Sequence, residues 1–154
     1  MSISYRLKKK ELVLLLDLFG DAGSLEQNFG NIFISREEYD ETAETLHKKG
    51  FVNAGNDTVS PENGMALMMK HIYSAPLVLA DTGSGVWVYC SADLIVMLKL
   101  NTAFGMEYSL CAAASDEERT ELGTELKAYD LKVIRGGKDV YDELAGFLKE
   151  PCHE

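Results

Sequence analysis

Apolar and polar residues change their rhythm near Pro76. Upstream, the apolar positions fall at helical spacing; downstream, they come in short runs separated by turn residues. Leu12-Val13-Leu14-Leu15-Leu16, framed by Glu11 and Asp17, predicts an amphipathic opening helix from about Lys8 to Phe19 that stops near Gly20. Gly23, Gly30 and their polar neighbours make Asp21 to Asn31 a loop, followed by a short strand at Ile32-Phe33-Ile34. The next helix is the best signalled. Ser35 and Glu38 form a capping box, Tyr39, Ala43 and Leu46 share one face, and Gly50 after His47-Lys48-Lys49 is the stop. Phe51-Val52 and Thr58-Val59, around Ala54-Gly55-Asn56-Asp57, predict a hairpin. Ser60-Pro61 then opens a helix with Pro61 at its first position and Met65, Leu67, Met68 and Ile72 on its apolar face.

Beyond Pro76, Leu77 to Ala80, Val86 to Cys90, Leu94 to Leu100 and Met106 to Ala112 read as strands. Their connections are too short for parallel crossovers, so they form an antiparallel four-stranded meander. Ser115 with Glu118 caps a helix running to about Tyr129; Leu131 to Ile134 is a fifth strand, Gly136-Gly137 a turn, and Asp139 to Leu148 a final helix. The fold class expected is α+β: N-terminal helices with a winged-helix-like hairpin, then a four- to five-stranded meander packed by C-terminal helices. A single domain is expected over residues 1–154, with a helical part at 1–74 and the meander at 75–154.

Composition narrows the partners. A net charge of −10 has the wrong sign for affinity built on neutralising phosphates, so nucleic acid is not expected. Arg6-Leu7-Lys8-Lys9-Lys10 before the leucine run superficially resembles a signal peptide. The run is too short to span a bilayer and no small-residue cleavage site follows, so neither export nor a membrane partner is expected. Cys90, Cys111 and Cys152 are odd in number and lack metal-ligand spacing, which fits a reducing cytoplasm and implies no structural metal; no cofactor motif is present.

Two stretches invite a functional reading, one catalytic and one for nucleic acid. In Leu77-Val78-Leu79-Ala80-Asp81-Thr82-Gly83-Ser84 a strand delivers D-T-G-S, as in the aspartic proteases, where two carboxylates share a proton. One copy suffices in a dimer, and Val133-Ile134-Arg135-Gly136 supplies a downstream apolar-apolar-x-Gly. The helical Ser115 to Tyr129 and the helical N-terminal half do not suit that family, and Asp, Ser and Gly are also turn chemistry. Asp81 is therefore expected to be a turn residue, with a dimeric protease using Asp81-Thr82-Gly83 as the alternative. A winged helix reading DNA with Ser35 to Lys49, and with Asn53 to Asp57 as its wing, is the second alternative. Arg36-Glu37-Glu38-Tyr39-Asp40-Glu41-Thr42-Ala43-Glu44 puts acids where phosphates would lie. His47, His71 and His153 are too dispersed for a triad, and Met65, Met68 and Met69 are expected to fill the core.

A longer pattern points to binding. Ser35-Arg36-Glu37-Glu38-Tyr39, then Leu46-His47-Lys48-Lys49-Gly50-Phe51-Val52, then Val59-Ser60-Pro61-Glu62 before an apolar helix and a meander, resembles the half-repeat of the ESX secretion-associated chaperones of type VII secretion systems. Leu12 to Gly20 resembles their opening helix, and the likeness runs over roughly residues 5–127. It implies a non-catalytic, cytosolic, chaperone-like adaptor that binds a helical secretion substrate. That family carries two such halves in a chain, so a homodimer would restore the second. Binding is expected at an exposed sheet edge or loop, through apolar residues rimmed by charge. Trp87 and Tyr89, on the opposite strand face from Val86, Val88 and Cys90, are the first candidates for partner contact.

Overall fold

The computed structural model describes residues 3–27, 35–54, 59–61, 63–101 and 107–148, and these divide into two compact units. One comprises residues 7–74; the other comprises residues 1–6 and 75–154. The strand at Ile32 to Ile34, the hairpin turn at Gly55 to Asp57, Cys152 and His153 lie outside the described residues.

The first unit holds helices α1 (Lys9–Asp17), α2 (Arg36–Lys48) and α3 (Asn63–Ser74) and a hairpin of β2 (Val52–Ala54) and β3 (Val59–Pro61). Ser35 Oγ accepts the Glu38 N–H at 3.2 Å, so α2 starts where its cap predicts. Gly50 ends it with φ +81, a conformation that costs glycine nothing. The assignment of Pro61 to a helix is corrected: Pro61 pairs with Val52 as the last residue of β3, and α3 begins at Asn63. Proline is tolerated at a strand end because no ladder donor is needed there. Met65, Met68, Met69 and Ile72 of α3 are buried, whereas Leu67 is 59% exposed and leaves the apolar face expected of it. Glu11, only 2% exposed, accepts the Lys8 N–H at 2.8 Å and the Lys49 ammonium at 2.9 Å.

The second unit is built on a six-stranded sheet in the order β1-β7-β6-β5-β4-β8. Strand β1 (Ile3–Lys8) was not anticipated; it precedes α1 and lies beside β7. The meander β4 (Leu77–Asp81), β5 (Val86–Cys90), β6 (Ile95–Asn101) and β7 (Glu107–Ala113) is antiparallel throughout. Strand β8 (Lys132–Arg135) returns antiparallel to β4 and forms an edge. Leu79, Val88, Met97 and Cys111 stand opposite one another across four strands. Their face meets Leu122 and Leu126 of α4 (Asp116–Leu126) and Ala145 at the end of α5 (Lys138–Leu144). Ser115 and Glu118 close the predicted capping box on α4. At Gly123 of α4 an added Cβ would run into the Phe147 carbonyl oxygen, so the C-terminal chain lies directly against the helix there. No helix among the described residues is long and apolar enough to cross a membrane.

Candidate functional site

The edge strand β8 is held at both ends by residues remote from it in sequence. Asp81 closes β4 and opens a tight turn in which the Ser84 N–H reaches both the Asp81 carbonyl, at 3.2 Å, and Oδ1, at 3.3 Å. Its other oxygen, Oδ2, accepts the Asp130 N–H at 3.1 Å. That backbone hydrogen bond is the main reason the Asp81 carboxyl lies below its ordinary value of 3.8. The Lys99 ammonium sits 5.5 Å from the ring centroid of Tyr129 in the same loop, and its pKa is raised by its hydrogen bond to that residue. The loop before β8 is thus fixed from two directions.

At the far end, an Arg135 Nη1–H donates to the Ala75 carbonyl at 2.9 Å. Gly136 follows with φ +106, and a Cβ there would lie 2.7 Å from the Pro76 carbonyl oxygen. Only glycine suits both that conformation and that approach. Between the clamps, Lys132 pairs with Ala80 and Val133 with Leu79, and a register shift follows before Arg135 meets Val78.

What this strand presents is unusual. Val133 is 44% and Ile134 38% exposed, and with Leu67 they are the exposed large apolar residues among those described. Lys132 and Arg135 flank them. Free edges are commonly shortened and charged against unwanted pairing; β8 is short and charged at its ends, yet leaves two β-branched side chains in solvent.

The residues first expected to meet a partner are placed differently. Tyr89 is 1% exposed and presents no surface; Trp87, opposite Ala80 and Leu98, is only half-buried. Val78, Val96, Leu98 and Leu110 are also buried, so the sheet face that carries Trp87 and Tyr89 is largely covered over β4 to β6. Strand alternation showed which residues share a face and not how far each face is covered. Asp81 stands apart from the other two as a turn residue whose two oxygens are already engaged by backbone N–H groups. Val133 and Ile134 were legible as a strand; the charged residues at both ends of so short an apolar run were the available sign of an edge.

A second feature lies in the same unit. An open cleft of about 500 Å³ is lined by the turn after β5 (Ser91, Ala92), by Ile95, by Asp116, Arg119 and Thr120 of α4, and by the chain from Glu143 to Phe147. An Arg119 Nη2–H donates to the Ala92 carbonyl at 2.6 Å, tying α4 to that turn. Burial pushes the Cys90 thiol up to about 12 and the Cys111 thiol up to about 11, so neither is disposed to act as a thiolate. Among the described residues, no three His, Cys, Asp or Glu side chains converge as a metal would require. No protein-family model, curated protein or solved structure matches the chain.

Proposed function

We propose that this chain is a non-catalytic binding protein that takes an extended segment of a partner protein along the free edge of β8. The observation that carries this is the exposure of Val133 and Ile134, at 44% and 38%, on an edge strand whose both ends are clamped. Strand addition gains affinity from main-chain hydrogen bonds, and alternate side chains supply specificity. A pre-fixed edge strand lowers the ordering cost on binding. The resemblance to the ESX secretion-associated chaperones extends this to a cytosolic, chaperone-like adaptor for a helical secreted protein, an unstructured part of which would pair with β8. Helix α2, the β2-β3 hairpin, α3 and the meander follow in the order that resemblance requires, which supports it.

The test is co-purification from native lysate with the double variant Val133→Lys, Ile134→Lys, compared with Leu67→Lys. Loss of the partner by at least tenfold in the first and its retention in the second is the expected result. Equal recovery from both would refute the edge as the binding surface.

A further inference from the structure

The cleft between the turn after β5, α4 and the C-terminal chain has a composition that the β8 edge does not use. Its volume of about 500 Å³ falls in the range of ligand sites. Ala92, Ile95, Leu144 and Phe147 give it apolar lining, and Asp116 and Glu143 stand exposed around it. Among the described residues neither carboxylate makes an ion pair, although Arg119 lines the same cleft. Arg119 is instead held on the Ala92 carbonyl, and its charge reaches the buried Cys90 thiol strongly enough to oppose part of the effect of burial. The cleft is therefore polarised: its cation is turned toward the sheet, and its acids face solvent.

We propose that this cleft is a binding site for a lysine- or arginine-bearing segment of a polypeptide. Basic side chains combine an apolar stem with a charged head, so the stem would lie on Phe147 and Leu144 while the head meets Asp116 and Glu143. The backbone carbonyls of the same segment would act as acceptors where the Arg119 side chain lines the cleft; its Nε, closed off from solvent and without an acceptor among the described residues, is not offered to the ligand. A free alkyl diamine offers the cation but no such acceptor, and an acidic segment would meet two unpaired carboxylates. The net charge of −10 attracts the same class of ligand over longer range.

The test is fluorescence anisotropy on the full chain with a fluorescein-labelled octapeptide of alternating lysine and leucine. Its lysine-acetylated form serves as the neutral control, and unlabelled 1,5-diaminopentane as competitor. Thr120→Trp, which fills the cleft, and the double variant Asp116→Asn, Glu143→Gln are each expected to weaken binding at least tenfold. Glu121→Gln, the loss of one acid on α4 outside the cleft lining, should stay within twofold of the parent. Acetylation should weaken the peptide at least fivefold, and the diamine should compete only at far higher concentration than the peptide. Equal binding of the acetylated peptide, no effect of Thr120→Trp, or an equal effect of Glu121→Gln would each overturn the proposal. Competition by the diamine at peptide-like concentration would overturn the polypeptide as occupant. Thermal melts of each variant separate loss of binding from loss of folding.

Discussion

Replacing Gly136 with alanine should unfasten β8 at its far end. A residue with a Cβ at φ +106 is strained by about 1–3 kcal/mol. The added Cβ would also lie 2.7 Å from the Pro76 carbonyl oxygen and 3.2 Å from Leu77 Cδ1, and the first of these neighbours is backbone. Moving it disturbs the start of β4, adding a packing cost of about 1 kcal/mol or more. Against this, alanine lowers the entropy of the unfolded chain by about 0.4–1 kcal/mol. The net expectation is a loss of about 2–3 kcal/mol, a large part of a typical domain's stability. At this chain length that corresponds to a fall in melting temperature of about 4–12 °C. Gly137 supplies the control, because nothing lies within 4 Å of a Cβ there and it is the N-cap of α5. Gly137→Ser should change stability by less than about 0.5 kcal/mol. Urea unfolding gives the magnitudes, and hydrogen exchange at the β8 amides reports whether the loss is local. If Gly136→Ala matched Gly137→Ser within error, the clamp would be refuted.

Other perturbations address separate links. The depressed Asp81 carboxyl contributes stability that is fully present above its unfolded value, near 3.8, and is lost as pH falls through the lower folded value. Asp81→Asn should therefore flatten the acid limb of a stability-versus-pH profile below about pH 4, leaving partner recovery at neutral pH intact if no proton-sharing dyad is needed. Lys49→Ala should cost about 2–4 kcal/mol by leaving the Glu11 carboxylate, 2% exposed, without its cation. The double variant Lys49→Ala, Glu11→Gln should recover part of that loss in a denaturation cycle. Gly123→Ala should gain about 1 kcal/mol of helix propensity but lose more, because its Cβ would run into the Phe147 carbonyl oxygen. A net stabilisation in urea unfolding would show that the C-terminal chain yields freely.

The parts of the fold that could be read from sequence are those set by local chemistry. The Asp81 to Gly85 turn, the Ser115 cap and the apolar runs placed β4 to β7 and α4 within a few residues of their observed bounds. Strand β1 was missed although Ile3, Tyr5 and Leu7 alternate with Ser4, Arg6 and Lys8, because the lysines merge it with the following helix. Pro61 misled because a Ser-Pro pair fits a helix start as well as a strand end. The candidate site depends on contacts that no local pattern encodes. Asp81 meets Asp130 across 49 positions and Arg135 meets Ala75 across 60, and only the closed sheet brings them together. The exposure of Val133 and Ile134 follows from β8 lying at the edge, which is a property of strand order.

A photo-crosslinking amino acid at position 134, compared in cells with the same group at the exposed positions 67 and 121, tests the proposed binding edge most directly. A partner protein captured from position 134 and from neither of the others is the expected result. Capture from position 67 or 121, with none from position 134, would contradict it.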